Sequence, residues 1–506
     1  ASDSRISYVP AADHAAGAQR PIWPDLEDWP RFVGTVRGTT YHALPGQNET
    51  EPIGIIPQIE HTHAYFDANY AIQNDCHLMF GESTASAAFR AVALGLPGGT
   101  ALFSVNELTR VAAERVCTAR EAVKLMGALA EAHGFYGADG GAGEVLMVGD
   151  TEEAFVFHIL SDPTARSAIW AAQRVPDSHV AVVANMFSIR EVDLTDTHTF
   201  LGSANLHSVA LAYDLWDGRG RLDFTAAYSG GEYANKYYTG RRVWDGLRRF
   251  KPSLVLPAEY GDLKRDKPYP FSVEVDQKLS VHDWFGAHRS HYEGTPYDMT
   301  VGLAAGPFGS PDRYGQPGVG YEDPGTGAWQ RSVGVYRTSL TWVVQATAGV
   351  PDATAGIAWL GPADSSKTVF TPVMVSAGAP LPFTVGNQAK IDRRSAYWAH
   401  RYVQNLAQLK YNAMIVDIQA ASHLWEARGS ALVAQIRAAC SHARALREDA
   451  GSKDGKDQCP CEGETGCCRC AIQHVLDSHA TNVLAATWDL ADALMVKYAD
   501  GASPPN

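Results

Sequence analysis

Between residues 144 and 184 four short apolar runs follow one another, at 144–148, 153–160, 167–174 and 179–184, with turn residues between them. Runs of that length, bounded by turn formers and joined without a helix, predict an antiparallel meander. Just before it, residues 106–133 carry apolar side chains at helical spacing (Leu108, Val111, Ala112, Val116, Ala119, Val123, Met126, Leu129) and predict one amphipathic helix with Ser104 or Asn106 as its cap. Further strands are expected at 53–65 and 70–80, and a short helix at 85–94 ended by Gly95 and Pro97. Helices are expected at 206–215 and 231–250, and a second set of strands at 332–345, 355–360 and 369–375. Two groups of strands with helices between them predict two packed sheets with helical layers outside, an α/β sandwich.

From residue 395 the sequence turns Ala-rich and helical, at 396–422, 424–446 and 471–498, with a polar Cys-rich insertion at 448–470. The expected organisation is therefore a core over 1–394 and a helical extension over 395–506. The Ala-rich helices offer a surface for a homo-oligomer.

Charge narrows the partners. The 506 residues carry 42 basic and 56 acidic side chains, a formal charge of −14. Phosphate neutralisation needs clustered Lys and Arg, so no nucleic-acid partner is expected. The densest basic stretch, 241–251, reads as a solvated helix face. No apolar run approaches the ~18 residues of a membrane span. The first residues have no charged or apolar signal region, so a secretory signal is either absent or already removed.

Eight cysteines are present. Cys76 and Cys117 stand apart, and Cys76 reads as a buried core thiol. Cys440, Cys459, Cys461, Cys467, Cys468 and Cys470 crowd together. Their even number in a loop-like segment favours disulfides. A zinc knuckle is the other reading, although the spacing is not a C-x2-C pair. Asn48-Glu49-Thr50 is a glycosylation sequon, and with disulfides it points to a secreted or endolysosomal protein.

The common hydrolase signatures are missing. There is no G-x-S-x-G elbow and no H-E-x-x-H helix; Gly81 to Ala85 lacks the elbow's last glycine. His61 and His63 share one side of a strand, which is half a metal site or, more often, a structural pair. No cofactor or metal is expected.

The distinctive features are longer segments: Asn74-Asp75 ahead of LMFGEST (78–84), VAVVANMFSIR (180–190), YYTGRRVW (237–244), HRSHYEGTPYD (288–298) and GLAAGPFG (302–309). Together, and in this order, they resemble the dipeptidase A and secernin family of N-terminal-nucleophile (Ntn) cysteine hydrolases. The resemblance implies a four-layer αββα fold and a dipeptide or small amide substrate. It also implies a cysteine, exposed by removal of a leader, whose own α-amino group is the base. An amine with a pKa of about 8 suits that task. The tetrahedral intermediate then needs donors aimed at its oxygen. In the wider superfamily two asparagines and an arginine supply polar contacts, and the resemblance assigns these to Asn74, Asn185 and either Arg241 or Arg242.

The nucleophile departs from the family pattern. Nothing in residues 1–70 matches a strand opened by cysteine, and residues 1–10 resemble family sequence just downstream of it, so the sequence is expected to begin late. Three readings stand: a dipeptidase whose first strand lies outside this sequence, a non-catalytic relative used for binding or assembly, or a protein whose Cys-rich helical appendage is the working part.

Overall fold

The computed structural model describes residues 4–25, 32–34, 43, 46–138, 143–258, 268–313, 330–387, 389–449 and 468–499. Eight strands form one antiparallel sheet whose neighbours follow chain order: β1 (Ser7–Val9), β2 (Tyr65–Asp67), β3 (Ala71–Asn74), β4 (Met79–Ala85), β5 (Gly143–Gly149), β6 (Ala154–Ser161), β7 (Ala168–Arg174) and β8 (Phe200–Gly202). Met79 lies opposite Gly149 and Ala85 opposite Gly143, so β4 is paired along its whole length.

Side chains alternate between the two faces of this sheet. Phe80, Leu146, Val148, Phe155 and Phe157 pack against α1 (Val105–Arg115) and α2 (Ala119–His133). On the opposite face Val145, Val156, Leu160 and Ile169 meet Phe187, Leu206 and Phe224. Phe66 and Ile72, on that same face, meet a second, three-stranded antiparallel sheet of β9 (Leu340–Ala346), β10 (Gly356–Pro362) and β11 (Thr371–Val373). The far side of the second sheet is covered by helices: Ile357, Trp359 and Phe370 pack with Val433, Ile436, Ile472 and Leu476. The chain is thus a mixed α/β protein built on a large antiparallel sheet. Among the described residues no helix is long and apolar enough to cross a membrane.

Several expected elements differ in the structure. The single helix over 106–133 is two helices, because Val116 to Thr118 are extended and Thr118 starts α2 as its cap. The expected helix at 85–94 is absent. That backbone bonds instead to Tyr228–Gly230, through Ala88 N to Tyr228 O and Gly230 N to Ser86 O. The expected break near residue 423 lies earlier, between α4 (Ala396–Ala407) and α5 (Tyr411–Asp449), where Gln408 bonds Ser310 and Asp312. The last helix is α6 (Cys468–Lys497).

Cys76 is half-buried and disulfide-bonded to Cys117, which corrects the expectation of a buried core thiol. Cys440 is buried and Cys470 exposed, while Cys459, Cys461 and Cys467 lie outside the described residues.

Buried ions tie the N-terminal segment to α1. Arg110 donates to Asp67 (2.8 Å), Asp25 (2.6 Å) and Glu107 (3.2 Å). Arg20 donates to Glu107 and to both oxygens of Glu114. Arg289 pairs with Glu426, whose carboxylate also accepts from Phe370 N at 3.0 Å, which docks α5 on the core.

Burial also tunes histidines. His158 sits on β6, stacked on Phe187 at 4.8 Å, and desolvation pushes its imidazole from 6.5 down to about 3. Folding therefore favours the neutral ring. The stability this supplies is complete above pH 6.5 and is lost as pH falls from 6.5 toward 3. This one group should remove about 1.4 kcal/mol per pH unit in that window. A His158→Phe variant, followed by urea midpoints at stepped pH, is expected to show a shallower acid slope by that amount; an identical slope would refute it.

Candidate functional site

The fourth apolar run of the predicted meander does not join the sheet. Ser178, in the left-handed region at φ 63°, turns the chain, and only His179–Ala181 forms a strand, paired with Ser272–Glu274. This detour carries the chain to the end of β4. There Asn185 adopts φ 52°, a left-handed conformation that Asn tolerates better than other side chains.

Three bonds hold Asn185, and a fourth anchors its partner Arg242. Its backbone N–H donates to Ser83 Oγ (2.7 Å), and Nδ2 donates to Thr84 O (2.7 Å). Its Oδ1 accepts from Arg242 Nη1 (2.9 Å), and Arg242 Nε donates to Tyr238 O (2.7 Å). An Nδ2 group has two hydrogens. Among the described residues only one of them has an acceptor, so the other is available to a ligand. Asn185, Arg242, Ser83 and Thr84 are all half-buried.

Arg242 reaches Asn185 because the helix before it is irregular. Lys236–Gly240 form a π-helical turn capped by Asn235, and α3 (Arg241–Phe250) follows. Such turns shift the helical register and recur at functional sites. Arg242 lies over the Tyr238 ring at 4.8 Å and Arg331 at 5.2 Å, and Arg331 donates to Tyr238 Oη at 3.1 Å. Two guanidiniums thus flank the Tyr238 ring. On the other side Glu232 accepts from Ser86 N, Ser86 Oγ and Ser229 Oγ, and burial raises its carboxyl above the usual range.

Sequence reasoning named Asn74, Asn185, Arg241 and Arg242. The structure brings only Asn185 and Arg242 together. Arg241 is buried on the other side of α3, with its guanidinium 3.3 Å over the Tyr297 ring and bonded to Gln330 and Ala258 O. The basic face expected to be solvated is folded inward: Arg248 and Arg249 both bond Asp245, which is fully buried.

Asn74 sits before β4, at its opposite end. Its Nδ2 donates to Ala113 O (3.0 Å) and Val116 O (2.9 Å), and its Oδ1 accepts from Cys76 N (3.1 Å) and Leu78 N (2.9 Å). All four of its bonding positions go to backbone, and it is fully buried. Asn74→Ala is expected to cost about 1–3 kcal/mol by stranding buried backbone groups. Urea midpoints measure this, and a change under 0.5 kcal/mol would refute it.

The residues missed from sequence are Ser83, Thr84, Ser86, Glu232, Tyr238 and Arg331. Ser83 and Thr84 lie in LMFGEST, a segment that carries the resemblance but to which it assigns no role, and nothing local marks Arg331 as a neighbour of Tyr238. The HYEGTPYD and GLAAGPFG strings make structural contacts. Ser290 Oγ, one residue ahead of the first string, donates to Asp245 (2.6 Å) and accepts from Tyr292 N (3.1 Å), which pins that string to α3. In the second, Gly309 at φ 61° would bring a Cβ within 2.9 Å of Thr300 O, and Phe308 O accepts from Asn412 N at the start of α5.

The family model of peptidase family C69 matches residues 70–423, well over half of the chain. The chain belongs to peptidase family C69. The matched span contains Asn185, Arg242, Ser83, Thr84 and Tyr238. Among curated proteins the chain is similar to a probable dipeptidase of Latilactobacillus sakei, 25% identical over 61% of this chain and 58% of that one. It is similar to dipeptidase A of Lactobacillus helveticus, 22% identical over 58% and 55%. It is also similar to a dipeptidase of Bifidobacterium longum, 24% identical over 67% and 60%. The chain spans between half and about three fifths of the length of these C69 relatives.

Proposed function

We propose that the chain is a dipeptidase of the Ntn-hydrolase class, with the αββα arrangement of that class, and that the cluster around Asn185 is the polar half of its active site. The observation that carries this reading is the uncommitted Nδ2 hydrogen of Asn185, held in place by Arg242 and the end of β4. A donor fixed in this way costs no reorganisation when negative charge develops on a tetrahedral oxygen. Arg242 positions the amide by holding its oxygen while Thr84 O takes one Nδ2 hydrogen, which together fix the direction of the second. The paired guanidiniums of Arg242 and Arg331 suit the free carboxylate of a dipeptide. Asn74 and Arg241 are assigned to positioning, of the β3–β4 turn and of the loop at Gln330.

The nucleophile is assigned to an N-terminal cysteine outside the 506-residue sequence. Cys76 and Cys117 are joined to each other beyond the start of β4, whose seven residues span roughly 23 Å at about 3.3 Å each. The outer edge of β9 supports the reading. Among the described residues it has no strand partner, and it lies against β4 through Trp342 Nε1, which donates to Phe80 O at 3.0 Å. An additional strand would pair there.

The test is hydrolysis of dipeptides by the mature protein before and after thiol alkylation, with intact mass to find the adduct. Hydrolysis abolished by one adduct on an N-terminal cysteine is expected. Hydrolysis unaffected by alkylation, or none at all in untreated protein, would overturn the reading in favour of another nucleophile or a non-catalytic relative.

A further inference from the structure

Beyond the start of β4, away from Asn185, three potential metal ligands meet. His63 follows the short strand His61–Thr62, Cys76 lies in the β3–β4 turn, and Cys117 lies at the α1–α2 junction. His63 Nε2 is 3.4 Å from Cys117 Sγ and 3.7 Å from Cys76 Sγ, and Nδ1 is also 3.4 Å from Cys76 Sγ. The three ligand atoms fall within 4.8 Å of one another, and among the described residues they are the one such group of His, Cys, Asp and Glu.

We propose that His63, Cys76 and Cys117 form a redox-gated site for a soft divalent cation such as zinc. Ligands on a tetrahedral zinc, at about 2.3 Å for sulfur and 2.0–2.1 Å for nitrogen, stand roughly 3.5–3.8 Å apart. The two distances from Nε2 to sulfur, 3.4 and 3.7 Å, already lie close to that edge. Only the sulfurs need to separate, and the Cα atoms behind them are 5.1 Å apart.

Two features keep the site assembled when the disulfide opens. Asn74 bonds Cys76 N on one side and the carbonyls of Ala113 and Val116 on the other, so it clamps the two cysteine-bearing segments without help from sulfur. Asp75 Oδ1 holds His63 Nδ1 at 2.9 Å, while Oδ2 accepts from Ala64 N at 3.0 Å. A carboxylate on the second ring nitrogen orients a ligating histidine and raises its basicity. The three protein ligands leave a fourth position for water, and all three residues are half-buried, so solvent reaches them.

The chemistry balances in two steps. A dithiol reductant gives two electrons and two protons to the Cys76–Cys117 bond, yielding two thiols and an oxidised disulfide of the reductant. The cation then displaces one proton from each thiol and binds two thiolates and the neutral imidazole. Oxidation removes both sulfur ligands and closes the site.

The test uses full-length protein reduced with a phosphine, freed of reductant without oxygen, and titrated with Co²⁺ and then Zn²⁺ alone. Wild type should show thiolate-to-cobalt charge-transfer absorption and one more bound ion per chain than a reduced Cys76→Ser/Cys117→Ser variant. Any metal on the C-terminal cysteines is common to both and cancels. His63→Ala, which keeps the disulfide in the oxidised protein, should weaken binding at this site by at least ~10-fold. Equal stoichiometry in reduced wild type and the double variant would overturn the proposal, as would an unchanged cobalt spectrum and affinity in His63→Ala.

Discussion

Asn185→Ala is expected to lower kcat/KM for dipeptide hydrolysis by about 10²–10³, the loss seen when one oxyanion donor is removed, or roughly 2.7–4 kcal/mol of transition-state binding. The effect belongs mainly in kcat, because the donor meets charge that appears only in the transition state. Strain must be separated from chemistry. Asn185 sits at φ 52°, where Ala is disfavoured by roughly 1–2 kcal/mol, so the Ala variant also loses stability. Asn185→Gly removes the same amide without that penalty and should lose the same rate. Asn185→Asp replaces the donor with a carboxylate paired to Arg242 and should be at least as slow. Steady-state kinetics on the three variants, with urea midpoints alongside, decide the matter. A Gly variant within threefold of wild type would end the assignment of Asn185 to the reacting centre.

Arg110→Met should destabilise the fold by about 3–5 kcal/mol, because removing one partner of a buried ion pair leaves uncompensated charge. Arg110 is 2% exposed and bridges Asp25, Asp67 and Glu107, of which Asp67 and Glu107 are fully buried. It also donates to Asn69 O at 2.6 Å, so the loss strands backbone as well. Surface pairs behave differently. Arg394, in a pair with Asp392 where its side chain is 70% exposed, serves as the comparison, and Arg394→Met should leave the midpoint nearly unchanged. Denaturant midpoints for the two variants at pH 7 test both statements. A deficit for Arg110→Met no larger than for Arg394→Met would show that the buried cluster is not what ties the N-terminal segment to α1.

Some of this was legible in the sequence because it depends on local pattern. Alternating apolar runs at 144–174 gave three adjacent antiparallel strands, β5 to β7, close to the expected limits. Apolar side chains at helical spacing placed α1 and α2 but not the break between them. That break depends on Asn74 and Cys76, some forty residues away, and long-range bonds leave no periodic trace. The run at 179–184 satisfies every local rule for a strand, yet none of it joins the main sheet. A turn at Ser178 and a pairing with residues 272–274 outcompete the meander.

The candidate site divides the same way. Asn185 was assigned by the family resemblance, and it ends an apolar run. Asn74 meets a similar description, and sequence alone gave no means of telling them apart. The structure separates them by what their amides touch: four backbone partners for Asn74, but an uncommitted hydrogen and a guanidinium for Asn185. Arg241 and Arg242 are adjacent in sequence, and about 100° of helical rotation between neighbours sends one into the core and the other to the site. Sequence by itself determined the family, the mixed α/β class and the shortlist of polar residues, because these rest on patterns written locally along the chain. Only the tertiary structure decided which members of that shortlist meet, and that Cys76 and Cys117 share a bond beside His63, because those facts depend on contacts between segments the chain holds far apart.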